Sequence, residues 1–186
     1  FGDDDFIWLK EYLQLNGMVY QLVPIKTPLQ RNASPLDMGT IDSEKMYKTV
    51  TNWDLGSNGN PDVYHDPETK RQVINYRSNL ARLTEKLLEE GKKDKAKKLI
   101  DLAMEKFPVN TFGFYTLVDP FINGYYQVGE KDKARKTLDE VINKHIEVLN
   151  YYEKTDTKFQ NQNYYTIAQN LEFFRTFLIT MQDNND

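Results

Sequence analysis

Leu87-Leu88-Glu89-Glu90-Gly91-Lys92-Lys93-Asp94-Lys95-Ala96-Lys97-Lys98 returns further along the chain as Tyr125-Tyr126-Gln127-Val128-Gly129-Glu130-Lys131-Asp132-Lys133-Ala134-Arg135-Lys136. The offset is 38 residues, and it aligns Gly91 with Gly129 and Lys-Asp-Lys-Ala with Lys-Asp-Lys-Ala. Self-similarity at a fixed period marks a repeat architecture. The small residues have mechanical reasons. Glycine permits a tight turn between antiparallel helices, and alanine lets the second helix approach the first closely.

Upstream, Asp66-Pro67-Glu68 is a strong helix start: a capping acid, a proline whose missing N–H costs nothing, and a carboxylate in the first turn. Val73, Tyr76, Leu80, Leu83 and Leu87 follow at spacings of three and four, one continuous stripe that Gly91 stops. A second helix is predicted from about Asp94 to Phe107, burying Ala96, Leu99, Ile100 and Ala103 and ending at Pro108. Leu80, Leu83, Leu87, Gly91, Ala96, Ile100, Ala103 and Pro108 together resemble the tetratricopeptide repeat. The second copy keeps Phe121, Tyr125, Gly129, Ala134, Leu138 and Val141 but has Ile146 in place of the closing proline, so its second helix should run on to about Tyr152. The offset exceeds the usual period of ~34 residues, which predicts an enlarged connection around Pro108 to Gly113. Beyond the polar stretch 153–158, Tyr164, Ile167, Leu171, Phe174, Leu178 and Met181 form one apolar face of a last helix, assigned to residues 160–182 as the cap of the open end.

Five of the seven prolines and five of the nine glycines fall in residues 1–71, which sets an irregular N-terminal third against a helical remainder. In that third, Asp3-Asp4-Asp5 reads as the cap of a first helix carrying Phe6, Leu9 and Leu13 and ended by Gly17. Met18 to Ile25 reads as one short strand, residues 27–41 as loop with turns at Thr27-Pro28 and Ser34-Pro35, and Asp42 as the cap of a helix with Met46, Tyr47, Val50 and Trp53 on one face. The expected class is mainly α. An irregular lobe, 1–65, packs on tetratricopeptide-like hairpins, 66–108 and 111–152, that are closed by the capping helix.

The 186 residues suffice for a continuous core. The absence of cysteine removes disulfides, thiolate metal sites and cysteine nucleophiles. No apolar run exceeds four residues, Phe6 to Leu9, against the ~20 a membrane span requires. A net charge of −4 argues against general nucleic-acid binding. The chain opens at Phe1, which reads as a piece of a longer protein or a processed product.

Little catalytic chemistry is visible. There is no Gly-rich phosphate loop, no G-x-S-x-G and no zinc-hydrolase histidine pair. Lys92, Lys93, Lys95, Lys97 and Lys98 could contact phosphates, but the repeat places them on the solvated rim of a helix turn. His65 stands among Asp62, Asp66 and Glu68, a grouping with ligand chemistry, although Asp66 and Glu68 already start a helix. His145 falls at the edge of a packed face, Glu140 and Lys144 read as a surface pair, and Asn32-Ala33-Ser34 only formally matches a glycosylation acceptor. Neither a metal nor a cofactor is expected, and no catalytic residue is assigned. Binding potential lies in the concave face of the first helices, where Glu85, Glu89, Asp119, Asn123 and Tyr126 could grip an extended peptide or a partner helix.

Leu15 to Lys26, Asp62 to Asp66, Ile74 to Leu83 and Glu90 to Ala96 carry a more specific resemblance. In that order they resemble the C-terminal soluble region of a bacterial family of multi-pass membrane proteins, catalogued as the 2723 domain of unknown function and described as protein O-mannosyltransferase-like. The resemblance implies a parent whose membrane helices precede Phe1, with this piece on the extracytoplasmic, periplasmic side of the inner membrane. Sugar-transfer residues would then belong to the membrane half. The chain is expected to be a non-catalytic binding or scaffolding module holding a protein or peptide. The alternative is an accessory part of a glycosyl-transfer site, with Asp62, Asp66 or Asp119 contributing.

Overall fold

Asp66 accepts hydrogen bonds from the backbone N–H groups of Glu68 and Thr69, and behind that cap runs the helix on which the molecule is built. The computed structural model describes residues 7–27, 38–113, 115–184 and 186. Among these the fold is mainly α. A small sheet comprises β1 (Leu13–Asn16), β2 (Val19–Leu22) and β3 (Thr40–Ile41). The helices are α1 (Ser43–Thr51), α2 (Pro67–Glu89), α3 (Lys93–Lys106), α4 (Val109–Phe112), α5 (Asp119–Gln127), α6 (Lys131–Glu153), α7 (Thr157–Gln162) and α8 (Tyr164–Asp183).

α2 with α3 and α5 with α6 are helical hairpins, and α5 packs against both helices of the first. Gly91 and Gly129 sit at the two bends with φ of 72° and 85°, a region that costs any residue with a Cβ. In each bend the residue after glycine donates back to a carbonyl five residues earlier, Lys92 to Leu87 and Glu130 to Tyr125. This satisfies an orphan carbonyl at the helix end. Val73, Leu80, Leu83 and Leu87 of α2, Ala96, Leu99, Ile100 and Ala103 of α3, and Phe121, Tyr125, Ala134, Leu138 and Val141 of the second hairpin are buried in one cluster. Removing each large aliphatic side chain from water contributes about 2 kcal/mol. α6 runs to Glu153, the extension that the missing proline predicts.

The enlarged connection is real and has an anchor absent from the sequence reading. α4 and a turn of 3-10 helix at Tyr115–Leu117 fill it. Arg77 of α2 is fully buried beneath, donating to the carbonyls of Phe107 and Gly113, the former at 2.8 Å. Burial pushes its guanidinium down to about 10.

Three expectations are corrected. The first helix does not reach Gly17: a 3-10 turn, Ile7–Tyr12, gives way to β1, which pairs antiparallel with β2 from Leu13 opposite Leu22 to Asn16 opposite Val19. Gly17 is thus the first residue of a two-residue hairpin turn, and the expected strand, seen as β2, finds its partner in β1, which also pairs in parallel with β3. The capping acids at 3–5, Pro28 of the Thr27-Pro28 turn, the Ser34-Pro35 turn and Asn32 lie outside the described residues. Asp42 does cap α1, whose Met46 and Val50 are buried.

The second correction concerns the last helix. The stretch 160–182 is broken at Asn163 into α7 and α8, and the face of α8 that packs on α6 is not the apolar stripe read from the sequence. Asn170, Phe177 and Thr180 are buried, whereas Tyr164, Leu171 and Leu178 are 64%, 56% and 66% exposed. The cause is polar. Asn170 Nδ2 donates to the Thr166 carbonyl, which leaves its Oδ1 to accept from His145 Nδ1 of α6 at 2.7 Å. His145 is therefore not at an edge but buried, its ring 4.7 Å from that of Phe173. Third, Lys144 pairs with Glu147 at 2.8 Å and not with Glu140.

Candidate functional site

α2 and α5 lie side by side as the first helices of adjacent hairpins, and a cleft of about 460 Å³ opens between them. It is lined by Glu85, Leu88 and Glu89 from α2 and by Asp119, Pro120, Asn123 and Gln127 from α5. The helical period explains both sets, since positions three and four apart share a face. Four of the five residues singled out for binding, Glu85, Glu89, Asp119 and Asn123, are brought together here. Leu88, Pro120 and Gln127 were missed. Their signal was available: each is three or four residues from a residue that was chosen.

Tyr126 is not in this cleft. Its side chain is buried on another side of α5, where its hydroxyl donates to Asp186 Oδ2 at 2.7 Å. Burial and the neighbouring carboxylate push the phenol up to about 12. Arg135 of α6 donates to both oxygens of the same carboxylate, which holds Asp186 far below the usual carboxylate range.

The cleft wall is polar and braced. Asp119 accepts from Asn123 Nδ2 at 3.1 Å and from Thr180 Oγ1 of α8 at 3.2 Å. Asn123 Oδ1 accepts from Asn184 at 3.4 Å. Burial raises the Asp119 carboxyl above its ordinary value, and the two hydrogen bonds pull the other way without cancelling it. Glu89 is paired with Lys86 at 3.2 Å. Carboxylates beside Leu88 and Pro120 make a surface suited to cationic or amide-bearing chains rather than to anions.

The other candidate groups have structural partners. Lys92 reaches Glu44 at 2.7 Å and Glu90 at 2.6 Å, Lys95 reaches Glu44 at 2.5 Å, and Lys97 pairs with Glu130. Three of the five clustered lysines are thus engaged within the chain. Two of them fasten α1 to the bend of the first hairpin, and they hold the Glu44 carboxyl down to about 2. His65 is buried with its ring 4.9 Å from that of Phe112, while Asp66 is occupied as the α2 cap, its carboxyl lowered chiefly by Thr69. Among the described residues no cluster of three His, Asp or Glu side chains is placed to hold a metal.

The same motif segments tie the N-terminal region to this frame. Asn79 donates to the Gly17 carbonyl at 2.9 Å, and Arg82 donates to Tyr20 Oη at 3.2 Å and to the Met38 and Gly39 carbonyls. The hairpin turn is therefore held against the side of α2.

Residues 1–45, the part that contains this sheet, match the family described as TMEM260-associated domain 2. The match covers roughly a quarter of the 186 residues and links this part of the chain to a family of membrane-protein-associated domains. No curated protein and no solved structure matches the chain. No helix among the described residues is long and apolar enough to cross a membrane.

Proposed function

We propose that the chain is a non-catalytic protein-binding or scaffolding module whose two hairpins are tetratricopeptide-like repeats. It would serve as the extracytoplasmic part of a membrane glycosyltransferase-like protein. The observation that carries this reading is the cleft between α2 and α5, lined by Glu85, Glu89 and Asp119 together with Leu88 and Pro120. Its shape suits an extended segment, and its charge favours one bearing lysine or arginine. The match over residues 1–45 supports the membrane association of the parent. The periplasmic side and the glycosyltransferase-like character rest on the resemblance of the motif segments alone.

The test is a titration of the chain with fluorescent extended peptides carrying basic, neutral or acidic residues. Basic peptides should bind, with affinity falling as salt rises. Glu85→Gln together with Glu89→Gln should weaken binding about tenfold. Asp119→Asn should also weaken it, yet leave stability unchanged or slightly higher, because it removes a carboxylate that burial disfavours. Equal binding of acidic and basic peptides, or none, would refute the reading.

The alternative, an accessory part of a glycosyl-transfer site, has one observation in its favour: Asp119 is a partly buried acid with a raised proton affinity at the cleft wall. A thermal shift with a polyprenyl-phosphate sugar donor, abolished by Asp119→Asn, would favour it over the peptide reading.

A further inference from the structure

The cleft between α2 and α5 has a period as well as a charge. α5 runs in the same direction as α2: Arg77 donates to the carbonyl of Gly113 ahead of α5, and further along both helices Thr84 Cγ2 lies 3.3 Å from where a Cβ on Gly124 would stand. The opening between two helices that run side by side in one direction is a furrow along both axes. Its α5 side is a single row, Asp119, Asn123 and Gln127, each four residues from the next, and its α2 side carries Glu85 and Glu89 at the same interval. Four residues of α-helix rise about 6 Å, so the α5 row covers about 12 Å.

The furrow is charged with one sign. Glu85, Glu89 and Asp119 line it and, among the described residues, no lysine or arginine does. Glu89 can be yielded to a guest. Its partner Lys86 is 3.2 Å away in an exposed pair of the kind that contributes little, and the same ammonium stands 4.0 Å from Glu90, which can hold it instead. Leu88, beside Glu89 in the lining, offers an apolar surface to the methylene stem of a bound lysine. Gln127, exposed at the far end of the α5 row, carries both a donor and an acceptor for the backbone of a guest.

We propose that the cleft selects extended segments in which two basic residues are separated by one neutral residue, Glu85 and Glu89 each taking one cation. The proposal rests on the cleft being a peptide site and adds the spacing its guest must have. An extended chain returns its side chains to the same side at every second residue, about 6.6 Å apart, against about 6 Å for the glutamates along α2. A mismatch of roughly 0.6 Å is absorbed by flexible lysine and arginine stems. Such a segment brings its alternate side chains onto Glu85 and Glu89 in turn, while the residue between them points away from α2. Adjacent basic residues point to opposite sides of an extended chain, so only one of them meets this wall. About 12 Å of furrow holds roughly four extended residues, enough for one alternating pair.

Fluorescence anisotropy with serine-rich peptides of equal length and charge tests this. Each carries two lysines, placed next to each other, separated by one serine, or separated by three serines as on one face of a helix. The peptide with a single intervening serine should bind about fivefold tighter than the adjacent pair, the increment that one further exposed ion pair can supply. Glu89→Gln should erase that difference by lowering the alternating peptide to the level of the adjacent one. Far-UV circular dichroism should stay unchanged, because the Glu89 side chain is exposed. Glu147→Gln, on α6 and outside the lining of the cleft, should alter neither affinity. Equal binding of all three peptides, or a preference that survives Glu89→Gln, would overturn the spacing while leaving a cleft that takes basic segments. Tightest binding by the peptide with three intervening serines would overturn it in favour of a helical guest. Binding by none of them would bring down the peptide site itself, and the spacing with it.

Discussion

Arg77 shows how one side chain can organise a loop. Its guanidinium is sealed under the connection between the hairpins and satisfies the carbonyls of Phe107 and Gly113. Arg77→Met keeps the length of the stem but strands both carbonyls, and should cost about 3 kcal/mol. The expected readout is a lower urea midpoint with an unchanged m-value. Its spacing, four after Val73 and three before Leu80, places it on the inner face of α2, but arginine is among the side chains least often buried, and what buries it is the connection that follows Pro108. His145 is similar: its partner Asn170 is 25 positions away, beyond the reach of any periodicity. By contrast, Asp42 and Asp66 could be read directly, because a cap acts within three residues.

Between elements, a close constraint is the crossing of α5 over the first hairpin. Gly124→Ala would set a methyl group 2.7 Å from Ile100 Cδ1 and 3.3 Å from Thr84 Cγ2. It should destabilise by about 1–2 kcal/mol despite the better helix propensity of alanine. Ile100→Val removes the opposing carbon, so the double variant should lose less than the sum of the singles in a denaturation cycle. At this scale the repeat was the most legible feature, because its hairpins are local and its glycines are diagnostic. Two elements were misread for physical reasons. Gly17 opens the two-residue turn, where a positive φ is needed, but three acids followed by apolar residues at helical spacing made it read as the end of a helix. In α8 the apolar stripe was taken for the packed face, whereas packing followed polar partners on α6 and α5. The cleft was legible to the extent that helical faces are. Its apolar lining, Leu88 and Pro120, was missed because apolar residues were assigned to the core.

For the molecule as a whole, the order of packing is a sheet and α1, then the first hairpin, then the second, then α8. Glu44 is the charge that fastens the first of these layers, bridging Lys92 and Lys95. Its folded value of about 2 lies below the ordinary 4.5, so the unfolded chain takes up its proton first as pH falls. The contribution is complete above 4.5 and is lost progressively towards 2. Thermal midpoints measured across that window should fall more steeply for the native chain than for Glu44→Gln, and added salt should narrow the gap.

The hydrogen bonds from Thr180 and Asn184 to Asp119 and Asn123 make the outermost helix a tenant of the cleft's own wall. A guest that claims those oxygen lone pairs must take them from α8. By thermodynamic reciprocity, whatever braces α8 from outside is felt by the guest with equal strength.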